Sequence, residues 1–198
     1  MIQELSSQLV LCWKNAGVIS DDVDSLETYR YGLELFFSSI FNLFFLIVIS
    51  VIFGIPFAFV PYLLGFMPIR VMAGGYHANA HWSCMAVFSA TYTLALIIVQ
   101  HQGNFMAPAF CVVVSVLSML STWIFSPVPA KNKPLSPLDA MTYRKISLVF
   151  SFLFFVIAVY KVIFSSNVTL SIRLFFYGEG MAALSLIISK LISKYSEI

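Results

Sequence analysis

Apolar positions at the start of the chain recur at helical spacing. Ile2, Leu5, Leu9, Cys12 and Trp13 fall on one side, with Gln3, Glu4, Ser7 and Gln8 opposite, a pattern that predicts an amphipathic helix lying on a membrane surface. Gly17 is expected to end it. Ser20, followed by Asp21 and Asp22, reads as an N-cap with acids in the first turn of a second helix. That helix runs through Leu26, Tyr29 and Leu33 and can continue into the first span. From Leu35 to Ile69 there is no charged residue, which is too long for one span of about 20 residues and a little short for two. Gly54 and Pro56 interrupt the run and predict a hairpin, with one span from Leu35 to about Phe53 and a second, short or re-entrant, from about Ile55 to Ile69. Further segments are expected at Cys84 to Gln100, Phe105 to Phe125, Ile146 to Phe164 and Leu174 to Ser189.

The expected fold class is therefore an all-α polytopic integral membrane protein, with amphipathic N-terminal helices followed by four to six membrane segments. It reads as one domain over residues 1–198. Within it, 1–33 are surface helices, 34–69 a helical hairpin and 70–84 a segment rich in reactive side chains. Residues 84–125 hold two spans, 126–145 a basic loop, 146–189 two more spans, and 190–198 a tail. Composition agrees: 60% of residues are hydrophobic and 10% charged, with a mean hydropathy of +0.93, against roughly 25% charge in soluble domains. A net charge of +2 without a basic run gives no footing for nucleic acid, so the lipid bilayer is the expected environment. No basic segment precedes an apolar core at the N-terminus, so no cleavable signal peptide is expected. Arg70, Lys131, Lys133, Arg144, Lys145, Lys190 and Lys194 all fall in connections on one side if both termini are cytoplasmic. The loops His101 to Asn104 and Ser165 to Ser171 carry no Lys or Arg, which predicts that orientation.

Chemistry concentrates between the second and third segments, where Arg70, Gly74, Gly75, His77, His81 and Cys84 occur together. Cys12 and Cys111 have no histidine or basic partner of this kind and read as inert thiols. A thiol needs a base or a positive neighbour to act as a thiolate near neutral pH, and a histidine can take the proton and return it to a leaving amine. On an unbroken helix His77 and Cys84 share a face, but the seven steps from one to the other span about 10 Å at 1.5 Å each, whereas His81 lies one turn before Cys84. Spacing thus favours His81 as the base; His77 serves if the chain bends, which the glycine pair permits.

Arg70, the Ala73-Gly-Gly-Tyr-His-Ala78 block and Cys84 seven residues after His77 resemble the accessory gene regulator B (AgrB) proteins, membrane-embedded cysteine endopeptidases of peptide quorum sensing. The resemblance extends to the acidic amphipathic N-terminal region, to Ser126-Pro-Val-Pro129 followed by Lys131-Asn-Lys133-Pro134, and to the closing apolar helices. It implies that Cys84 is the nucleophile and His77 its base, on a bent chain. The implied substrate is an AgrD-like propeptide, cleaved through an acyl-enzyme thioester that an internal side chain of the peptide then closes into a thiolactone or lactone. Arg70 and Gly75 are expected as supporting residues, Lys131 and Lys133 as a topology determinant or a docking point for an acidic propeptide tail, and a homodimer as the assembly. No cofactor is expected.

Simpler readings stand beside these. Arg70 can merely anchor a helix end. Glu34 begins the first span, where an unpaired carboxylate costs roughly 2.5 to 3.5 kcal/mol, so it should either orient His77 or pair with Arg30 or Arg70. Glu179 needs a partner for the same reason, with Arg173 or Lys161 expected. Two rival functions remain: His77, His81 and Cys84 as ligands of a zinc site completed from elsewhere, and a transporter using Glu34, Arg70, Lys161 and Glu179 as a polar pathway.

Overall fold

The computed structural model describes residues 2–19, 22–74, 81–101, 107–128, 136–164 and 168–195. Among the described residues the elements are seven helices: α1 (Ile2–Asn15), α2 (Val23–Ile52), α3 (Phe59–Ala73), α4 (His81–His101), α5 (Ala107–Phe125), α6 (Pro137–Phe164) and α7 (Leu170–Tyr195). Stretches of α2, α4, α5, α6 and α7 are long and apolar enough to cross a membrane, and α3 is shorter. The protein is an all-α polytopic membrane protein.

Surface helix and first span join as the apolar pattern allows. The 30 residues of α2 measure about 45 Å at 1.5 Å each, more than the ~30 Å of hydrocarbon in a bilayer. Its first turns therefore extend past the apolar layer. Asp22 is its N-cap residue, two positions after the Ser20 expected there; Ser20 and Asp21 lie outside the described residues. α1 ends at a turn in which Gly17 has φ 70°. Its buried side is Ile2, Ser6 and Val10, one step round from the expected stripe, while Leu5 and Cys12 stay exposed. The buried side is the one packed inward in the bundle, which the apolar pattern of the helix alone does not specify.

The expected loop 126–145 is shorter than drawn. α6 starts at Pro137, capped by Ser136: the Asp139 amide donates to Ser136 Oγ at 3.1 Å and the Ser136 hydroxyl to Asp139 Oδ2 at 2.7 Å, a reciprocal cap. α7 likewise begins at Leu170 and runs to Tyr195, absorbing much of the expected tail.

Side-chain pairs fix the helix directions. Ser50 meets Tyr92 at 2.6 Å and Gln100 donates to the Phe53 carbonyl at 3.5 Å, so α2 and α4 run parallel and α3 carries the chain back between them. α3 and α7 are parallel and touch through glycines. A Cβ on Gly65 would lie 1.9 Å from the Phe175 carbonyl oxygen, and one on Gly178 would lie 2.1 Å from that of Tyr62. Backbones this close give helices in lipid the van der Waals contact that hydrophobicity cannot supply there. α5 and α6 are joined by hydroxyls, with Ser151 donating to Thr122 at 3.1 Å and Ser126 bonded to Ser147 at 2.9 Å. Glu179 is fully buried. Its hydrogen bond comes from Ser115 of α5 at 2.8 Å, which replaces the expected pairing with Arg173 or Lys161. Arg173 donates to the carbonyls of Val168 and Val99.

Candidate functional site at the α3–α4 turn

α3 and α4 pack antiparallel through an aromatic ladder. Tyr62 stacks near Tyr92 and Phe66 near Phe88, each pair with ring centroids 4.9 Å apart. Four residues forward on α3 thus match four residues back on α4, and the same register carried one turn further brings Arg70 to the level of Cys84. Electrostatics agree, because the Arg70 guanidinium and the Cys84 thiol lie close enough to act on each other's charge. Cys84 sits at the first turn of α4, half-buried, with Trp82 and Ser83 exposed before it and Met85 buried after it. The unpaired amides and macrodipole of a helix N-terminus put positive potential there. Arg70, half-buried in the last turn of α3, adds a full charge.

Gly74 ends α3 with φ 79° and ψ −148°. A Cβ at this position would stand 2.3 Å from the Val128 carbonyl oxygen. Gly74 therefore combines a positive φ with a backbone approach that leaves no room for a side chain. Gly75 and His77 lie outside the described residues, as do Lys131 and Lys133. His81 opens α4, so Cys84 lies one turn after it on a regular helix.

Glu34 is 8% exposed and makes an ion pair with Arg30, Nε to Oε1 at 3.8 Å. It lines a groove between α1 and α2 together with Gln3, Ser7, Gln8, Arg30 and Tyr31. The Arg30 partner fits the structural reading of this acid. Cys111 is fully buried within α5 and Cys12 exposed on α1. Among the described residues no group of three or more His, Cys, Asp or Glu side chains is placed to hold a metal ion; the zinc reading needs His77, outside that set.

One contact at this end of the bundle had no counterpart in the sequence reading. Gly74 and Val128 form a parallel bridge, so the segment holding His77 and the loop holding Lys131 and Lys133 both leave from one pair of residues. The signal that could have pointed to it was Ser126-Pro-Val-Pro129, noted only as part of the family resemblance.

A helical membrane protein with a cysteine in the first turn of one helix and an arginine in the last turn of the helix before it is the class these features define. Residues 9–192 match the family described as accessory gene regulator B, and the chain belongs to that family. It is also similar to Protein FsrB of Enterococcus faecalis (strain ATCC 47077 / OG1RF), 23% identical over 130 residues, which are 65% of this chain and 53% of that protein. The chain thus spans about half the length of the curated relative it matches. No solved structure matches.

Proposed function

We propose that the chain is a membrane-embedded cysteine endopeptidase that processes an AgrD-like quorum-sensing propeptide. The observation that supports this reading is the register of α3 on α4, which brings Arg70 to the level of a half-buried Cys84 at a helix N-terminus, within range of its charge. A nucleophilic sulfur requires such positive surroundings. His77, seven residues from each of the two in sequence, takes the thiol proton. The sulfur attacks the scissile carbonyl, the C–N bond breaks, and His77 returns the proton to the leaving amine. The acyl group stays on Cys84 as a thioester, and attack by a Cys or Ser side chain of the peptide frees the thiol and closes the ring. Lipid around the site disfavours hydrolysis by water over this internal transfer. Lys131 and Lys133 bind the acidic tail of the propeptide.

Purified protein in liposomes, given a synthetic propeptide with EDTA and no ion gradient, is expected to release the C-terminal fragment. The remainder should weigh one water less than the linear acid. Loss of cleavage with the chelator would move the assignment to a zinc enzyme, and peptide movement without cleavage would move it to transport.

The reaction is assigned to the cytoplasmic face, on the strength of the Lys and Arg distribution. Single cysteines at Gly103 and Asn167, in protein without native thiols, should react with an impermeant maleimide added outside intact cells, and one at Lys133 should not. Labelling at Lys133 with shielding at Asn167 would reverse the orientation.

A further inference from the structure

After α5 the chain does not leave the bundle directly. Ser126-Pro127-Val128 passes over the end of α3, where the Val128 amide donates to the Ala73 carbonyl at 2.9 Å and Val128 bridges Gly74 in parallel. The Gly74 amide in turn donates to the carbonyl of Arg70 at 3.2 Å. At its other side the strap is clasped to α6. The buried Ser126 hydroxyl bonds Ser147 at 2.9 Å, Ser147 donates to the Arg144 carbonyl at 2.9 Å, and Arg144 reaches back to the Trp123 carbonyl at 2.9 Å. Val128 also packs against the buried cluster that holds Ile69, Ala73 and Phe154. A helix end such as that of α3 frays unless something holds it, and this one carries Arg70 in its last turn.

We propose that the Ser126–Val128 strap is a positioning element for Cys84: through the Val128 amide and the bare backbone of Gly74 it pins the last turn of α3, keeping Arg70 opposite the thiol. The strap acts through Arg70 and touches neither sulfur nor substrate. Its catalytic consequence rests on the reading of Cys84 as nucleophile, while its effect on the thiol does not.

The test uses full-length protein carrying Cys12→Ala and Cys111→Ala, so that Cys84 is the one thiol. Val128→Pro removes the donating N–H. It is expected to slow alkylation of Cys84 by iodoacetamide at neutral pH, and to lower kcat for propeptide cleavage, each by about ten-fold, the scale of one lost hydrogen bond. KM should change by less than about two-fold, the size of a change remote from binding. Val128→Ala keeps the N–H and is expected to recover most of the rate lost to proline. If Val128→Pro does not reach the membrane folded, Ser126→Ala, Ser147→Ala and their double variant decide the matter. Each should lower kcat and thiol reactivity, Ser147→Ala at least as much as Ser126→Ala because it also gives up the bond to the Arg144 carbonyl, and the double no further than Ser147→Ala alone, because the Ser126–Ser147 bond is already gone in either single. Unchanged thiol reactivity, independent additive losses, or a defect confined to KM would overturn the proposal. Slowed alkylation with unchanged cleavage would uphold the strap and remove Cys84 from the nucleophile's role.

Discussion

Cys84→Ala is expected to abolish propeptide cleavage, with a loss of at least about 10⁴-fold, because removing a nucleophile removes the covalent route entirely. Cys12→Ala and Cys111→Ala should cleave at close to the native rate. The three thiols differ in surroundings rather than in chemistry. Cys111 is fully buried, packed near Ala158 and Phe176, where no peptide bond can reach it. Cys12 is exposed on the surface helix α1, with no described histidine or arginine contact. Only Cys84 combines partial exposure, a helix N-terminus and a nearby guanidinium. Cys84→Ser is the more demanding variant, since it keeps shape and a hydroxyl but not the low-energy anion of sulfur; it too should be inactive. Cleavage is followed by the mass of both fragments in membranes holding equal amounts of each variant. A fully active Cys84→Ala protein would end the cysteine-protease reading.

How much of this was legible in the sequence depends on the range of the interaction. The long apolar runs gave the helices, and Gly54 and Pro56 gave the break between α2 and α3, because burial in lipid is written residue by residue. Helix ends were less visible. The Ser136–Asp139 cap has a sequence signature, yet it sits behind Lys131 and Lys133, whose charges suggested a loop through to Lys145. Pairings between helices were least visible. Glu179 was assigned a cationic partner because charge neutralisation is the usual remedy for a buried acid. It is instead bonded to Ser115, a choice made by the packing of α5 on α7. Ser115, Ser118 and Thr122 on α5, with Ser147 and Ser151 on α6, are all buried and recur at three- and four-residue steps, which is the trace this polar seam leaves. The Arg70–Cys84 register could have been counted from the aromatic ladder Tyr62, Phe66, Phe88 and Tyr92, had the antiparallel hairpin been taken at its word.

Which histidine serves as base is the point where spacing and resemblance disagree, and the expected result is that His77→Ala abolishes detectable cleavage while His81→Ala keeps substantial activity. A general base contributes on the order of 10²- to 10⁴-fold, and a polar neighbour that only shapes the site contributes far less. His81 starts α4 one turn before Cys84, so closeness along the helix is its natural advantage. Closeness alone does not make it the base, since its ring must also face the substrate's leaving nitrogen. His77 lies midway between Arg70 and Cys84 in the chain, and the family resemblance implies that it carries the proton. Alkylation of Cys84 by iodoacetamide near neutral pH separates the loss of a base from the loss of substrate binding. His77→Ala should slow it and His81→Ala should leave it nearly unchanged. If His81→Ala is instead the inactive variant with the slow thiol, and His77→Ala cleaves normally, then the base acts along the regular helix of α4 and the assignment taken from the family resemblance is wrong for this chain.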